Sequence, residues 1–149
     1  TMGFPSRPPS PCDIPPLLEK ALGATVLETH MSRDMLVLLD SEQAVKTLRP
    51  DYALLRQIDN VFAIIVTARG SDCDFVSRFF APNVGIPEDP VTGSAHATLI
   101  PFWAKRLGKT SMTARQLSRR SGMLYCEDKG ERVRISGKAA LYLSGEIVV

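Results

Sequence analysis

Apolar and polar residues change period along the chain, and each change marks an element. Pro15 to Leu22 (PPLLEKAL) reads as a short helix, with prolines at its start and Gly23 at its end. Ala24 to Met31 and Asp34 to Leu39 read as strands joined by a turn at Ser32 and Arg33, the second strand an almost unbroken apolar run. Helical patterns follow at Ser41 to Leu48 and Tyr52 to Ile58. Val61 to Thr67 has the β-branched richness of a buried strand, and Cys73 to Phe80 is its expected neighbour. From Gly93 to about Leu107 the period returns to helix, apolar around most of its circumference, which predicts an enclosed helix. Pro101 lies inside it, so a kink or a surrounding wall of strands is expected. Strands are predicted again at Ser111–Leu117, Gly122–Glu127, Arg132–Ile135 and Ala139–Val149, with turns at Asp128 to Gly130 and at Gly137 and Lys138. The pattern describes an α+β fold of strands wrapped about one buried helix.

The opening sixteen residues depart from this regularity, holding six prolines. They suit an extended arm or linker rather than packed regular structure. Residues 1–14 are therefore assigned to an arm and 15–149 to one domain, long enough to bury a core without metal or disulfide.

Between the last predicted strand of the first half and the enclosed helix stands Gly85 to His96, GIPEDPVTGSAH. Pro90 biases Asp89 towards an extended conformation. Thr92 is the expected N-cap, its hydroxyl satisfying an early amide, with Gly93, Ser94 and Ala95 as the first helical residues. Their N–H groups lack intrahelical partners, and Gly93 permits close approach to the main chain, so the turn can receive a carboxylate or phosphate. An enzyme that moves a proton beside a carboxylate needs such an anchor and a general acid or base close by, and Asp89 is a candidate for the latter. On spacing alone, simple helix capping by Asp89 and Thr92 is the plainer assignment. His96 is a candidate ligand contact at the helix mouth or a hydrogen-bonded core histidine; it does not share a helix face with Ser94. Glu88 is assigned a structural hydrogen bond, with Arg78 as a partner for it or for Asp89.

Charge and cysteine content narrow the classes. The net charge of +2 offers no general field for nucleic acid. It is unevenly spread: residues 1–100 carry 8 basic and 12 acidic side chains, residues 101–149 carry 10 and 4. Three well-separated cysteines, Cys12, Cys73 and Cys126, indicate neither a disulfide framework nor a zinc site, and no metal ligand set is predicted. With no apolar run long enough for a membrane span and no signal pattern, a cytoplasmic protein without membrane or nucleic-acid partners is expected.

The segment Phe75 to Leu99 (FVSRFFAPNVGIPEDPVTGSAHATL), with PFWAKRLGK at Pro101 to Lys109, ARQLSRRSGMLYC at Ala114 to Cys126 and RVRISGKA at Arg132 to Ala139, resembles the phenazine-biosynthesis PhzF-like family. The resemblance implies the C-terminal half of a diaminopimelate-epimerase-like fold, a mixed, mostly antiparallel β-barrel around a central helix. It further implies a cofactor-independent isomerase or epimerase acting on a small carboxylate-bearing metabolite. Asp89 would be an acid/base group, and Gly93 and Ser94, with the neighbouring Thr92, Ala95 and His96, would bind substrate. The family's other acid/base group, a glutamate of the N-terminal half, has no counterpart here. Homodimerisation or pairing with an N-terminal half is the implied partnership. The competing expectation is a catalytically silent small-molecule or protein-binding module. Ser121 stands before Gly122 where relatives commonly show two glycines, which makes that turn a point of departure.

Overall fold

The apolar run at Met35–Leu38 forms strand β4, buried on both faces, and it pairs in parallel with β5 (Ile64–Arg69) in the register Met35 to Ile64. In the computed structural model, which describes residues 1–147, ten strands form one mixed sheet. The others are β1 (Met2–Pro5), β2 (Ser10–Cys12), β3 (Glu28–Met31), β6 (Phe75–Ala81), β7 (Ile86–Asp89), β8 (Ser111–Gln116), β9 (Gly122–Asp128) and β10 (Arg132–Ser136). The strand order is β1-β10-β9-β8-β6-β5-β4-β3-β2, with β7 on β6; apart from β4–β5 and β6–β8, every pairing is antiparallel.

One face of the sheet packs on helix α4 (Gly93–Leu107). Leu99, Ile100 and Trp103 meet Phe75, Phe79, Met112, Leu124 and Val133 there, and the Trp103 and Phe75 rings stack 5.7 Å apart. The other face of the central strands is covered by α1 (Leu18–Leu22), α2 (Glu42–Thr47) and α3 (Tyr52–Leu55), which bury Leu22, Val45 and Leu55 against Val37, Val66 and Phe80. Alternation decides which cluster a residue joins: in β6, Phe75 and Phe79 face α4 while Val76 and Phe80 face the small helices.

Three expectations need correction. The proline-rich opening is strand in part, because β1 pairs with β10 and β2 with β3, while residues 6–9 and 13–15 have no regular structure. Extended backbone is what proline favours, and short strands at the sheet's two margins tolerate its missing donor. Second, the sheet does not close into a barrel. Its margins β1 and β2 are not paired with each other; residues 6–9 connect them, and the Ser6 and Arg7 amides donate to Glu131 O and Ala97 O instead. The second of these bonds follows from Pro101. A proline there cannot donate to the carbonyl four residues back, Ala97, and the arm supplies the replacement at 2.9 Å, so α4 runs on unbroken through its proline. Third, residues 139–147 form no strand, and Gly137 and Lys138 consequently form no hairpin turn. Among the described residues no strand partners this segment, which leaves Leu141, Tyr142 and Leu143 exposed; Val148 and Val149 lie outside the described residues.

Smaller shifts have local causes. The strand predicted at Ala24–Met31 begins only at Glu28, since Gly23, left-handed at φ 68°, ends α1 and the chain needs 24–27 to turn.

Candidate functional site

Asp89 reaches the mouth of α4 because it ends β7, opposite Phe79 of β6. Glu88 anchors that strand. Its carboxylate takes two hydrogen bonds from Arg78, Nε to Oε1 at 2.7 Å and Nη2 to Oε2 at 3.0 Å, while Arg78 Nη1 donates to the carbonyls of Val45 and Leu48 at the end of α2. The guanidinium also lies 4.9 Å over the Phe80 ring. Arg78 thus ties the strand that carries Asp89 to the helical layer behind the sheet, in a fork geometry that suits a carboxylate.

The turn from Asp89 to Thr92 is held from β8. The buried Gln116 amide donates to Asp89 O at 2.8 Å and accepts the Thr92 N–H at 2.8 Å. Ser118 Oγ donates to Pro90 O at 2.7 Å and accepts from the Ser121 N–H at 3.0 Å. Ser121 adopts φ 57°, a left-handed backbone where glycine carries no Cβ penalty. Ser121→Gly is expected to raise stability by about 0.5 kcal/mol, the relief of the left-handed strain outweighing the added freedom of the unfolded chain, readable as a small rise in the urea midpoint.

Thr92 is the N-cap of α4 by position but not by side chain. Its hydroxyl donates to Asp89 Oδ2, and no side chain caps the helix, contrary to the capping expectation. Donating to Asp89 does not by itself prevent the hydroxyl from accepting; its acceptor side is turned to Gln116 Nε2, which donates to it at 3.2 Å, rather than to the helix amides. Two consequences follow. Asp89 is oriented by one oxygen, and among the described residues there is neither a donor to Oδ1 nor a side-chain cap on the first amides of α4. Gly93 serves a purpose beyond the expected one, because a Cβ there would sit 3.3 Å from Phe4 Cζ, so the glycine makes room for β1. Ala95 directs its side chain into the core, and Ser94 remains partly exposed at the mouth, accepting from Arg33 Nη2 at 3.2 Å.

Asp89, Thr92, Gly93 and Ser94 therefore meet at one place, while His96 lies beneath it. His96 is fully buried, its Nδ1 is 2.8 Å from Thr92 O and its ring lies 6.1 Å from Phe75. A carbonyl only accepts, so Nδ1 carries the proton; Nε2 has no partner among the described residues. Burial lowers its pKa from 6.5 to about 4. The unfolded chain then binds the extra proton throughout that interval, so the stability contribution is complete above pH 6.5 and is lost as pH falls towards 4. Between pH 7 and pH 5 the loss is expected to be about 2 kcal/mol, and His96→Gln should flatten this pH dependence in urea titrations.

Gln116, Ser118 and Arg120, which the family resemblance assigns to a segment that lines the cleft, do stand beside the Asp89 turn. Sequence reasoning missed one contributor. Arg33 was hidden in a turn, with no local signal that it meets Ser94 61 residues away. Beside the Asp89 turn, Glu88, Pro90, Ser118, Arg119 and Arg120 line a shallow groove of about 430 Å³ whose two exposed arginines concentrate positive charge.

The chain is 51% identical over 146 residues to a protein of Pseudomonas aeruginosa described as an uncharacterised isomerase, and 52% identical over 147 residues to a second protein of that organism so described. Each match covers 98% of this chain, which spans 56% of the relative's length. The crystal structure of a phenazine biosynthesis protein of the PhzF family from Enterococcus faecalis superimposes with a TM-score of 0.93 at 44% identity, over 99% of this chain and 57% of that one. With residues 16–145 matching the family model for phenazine biosynthesis-like proteins, the chain belongs to that family.

Proposed function

We propose that this chain is the C-terminal part of a cofactor-independent isomerase or epimerase that moves a proton on a small carboxylate-bearing metabolite. The observation that carries this reading is the Thr92 hydroxyl held between Asp89 and Gln116, with the first α4 amides uncapped beside an oriented carboxylate. A substrate carboxylate on the amides of Gly93 to Ala95 gains roughly 0.3 to 2 kcal/mol from the helix dipole, and charge-assisted hydrogen bonds of about 1.5 to 3 kcal/mol each do most of the holding. That anchor brings an adjacent C–H towards Asp89 Oδ1, the oxygen that Thr92 leaves free. Asp89 removes or returns the proton on one side of the carbon. Transfer across both faces needs a second acid/base group, which this reading assigns to a partner segment outside the chain, either an N-terminal half or a second subunit.

The names of the two Pseudomonas proteins support the reaction class, and the uncapped amides support the substrate class. The test is incorporation of solvent deuterium at the carbon next to the carboxylate, followed by NMR with the longer protein that carries this domain. Candidate substrates are small carboxylic acids with an acidic neighbouring C–H. Absence of Asp89-dependent exchange across such a panel would overturn the reading.

A further inference from the structure

Arg33 lies in the turn between β3 and β4. Its Nε donates to Asp34 Oδ1 at 3.0 Å and its Nη2 to Asp34 Oδ2 at 2.6 Å, so Asp34 occupies one full edge of the guanidinium. Asp34 is 1% exposed and Arg33 39% exposed. The Phe62 ring lies 5.3 Å from the guanidinium carbon. Held by a buried carboxylate and an aromatic face, the head group is fixed at the surface, and from there Nη2 also donates to Ser94 Oγ. Nη1 has no partner among the described residues.

That last bond sets the polarity of the serine. A hydroxyl oxygen that accepts from a cation turns its own hydrogen away and donates it more strongly. The amides at the start of α4, the Ser94 hydroxyl and Arg33 Nη1 then form a set of donors on one side of the site, with Asp89 Oδ1 the acceptor on the other. A ligand group seated on the donor side is favoured as an anion over a neutral isostere that presents N–H groups there. We propose that Arg33 is a positioning and specificity-determining residue: it fixes Ser94 as a donor and adds its unpaired Nη1 as a cationic donor, and by these two donors the site selects a carboxylate over the corresponding amide. The proposal rests on the reading that the α4 N-terminus binds the substrate carboxylate.

The plain alternative is that Arg33 only neutralises the buried Asp34. Benzoate and benzamide, an ionised and a neutral ligand of the same shape, separate the two when titrated into the 15N-labelled chain while the Gly93 to Ala95 amide resonances are followed. The wild type is expected to bind benzoate more tightly than benzamide. In the doubly substituted Arg33→Gln, Asp34→Asn protein, which has no orphaned carboxylate, the preference should fall about tenfold or more, and Arg33→Lys, which keeps the charge without the fork, should lie between. Retention of the full preference by the double variant would overturn the proposal and leave the anion site standing. If neither compound moves the wild-type amides, the binding reading and this proposal fail together. In the longer enzyme, the double variant should raise KM about tenfold with kcat within threefold, whereas Asp89→Asn acts on kcat. A fall in kcat with unchanged KM would assign Arg33 to some other role and overturn the proposal.

Discussion

Asp89→Asn is expected to lower proton exchange by about 10²- to 10⁴-fold while leaving KM within a few-fold. The substitution preserves shape. An asparagine carbonyl oxygen still accepts from Thr92, and the Gln116 clamp acts on backbone atoms at positions 89 and 92, so the turn keeps its geometry. What disappears is the capacity to bind and release a proton. Stability should change by less than about 1 kcal/mol, because Asp89 is partly exposed and loses no buried partner. Deuterium incorporation and a urea titration on the same preparation check the two halves of this expectation. Full exchange in a folded Asp89→Asn protein would remove Asp89 from the chemistry.

The largest effect on stability is expected at the neighbouring residue. Glu88→Gln should cost about 3 kcal/mol, since it leaves Arg78, a residue only 7% exposed, with two backbone carbonyls but no counter-charge. Replacing both partners with apolar residues, Arg78→Met with Glu88→Leu, should cost less than the single change, because neither charge is then stranded. The measurement is the urea midpoint at constant slope for the two proteins. A Glu88→Gln protein as stable as wild type would mean that water reaches the guanidinium and that the pair does not anchor β7. Activity should fall along with stability in the single variant, since β7 carries Asp89.

The elements with strong periodicity were legible in the sequence. The all-apolar strand at Met35–Leu38 and the helix at Gly93–Leu107 follow from patterns that only burial explains, and the site turn followed from Pro90, Thr92 and Gly93. The misses share one cause, which is that partners distant in sequence decided them. Residues 2–5 look like a linker by local pattern, and only the family resemblance implies a strand end at Thr1 to Phe4; β10 supplies its pairing edge, whereas Leu141 to Leu143 look like a strand although no such edge meets them among the described residues. Asp89 was expected to be extended but no strand was assigned at Ile86 to Asp89, which forms β7 because β6 offers its unpaired margin beyond the end of β8. Within the site, Thr92 was placed correctly and given the wrong bond. Local rules offer its oxygen to the helix amides, and they do not foresee that Gln116, 24 residues on, donates to that oxygen instead. Arg33 lay beyond any local rule.

The pairing of β1 with β10 also governs how the chain reaches this structure. Met2 meets Ile135 and Phe4 meets Val133, so β1 has no partner among the described strands until β10 exists. During synthesis β1 therefore stays unpaired while the more than one hundred residues up to β10 are added. Contacts between such distant positions must repay a long loop closure before they stabilise anything, which predicts folding in milliseconds to seconds rather than microseconds. The first α4 turn, on which the proposed chemistry rests, would then be among the last parts of the molecule to become rigid.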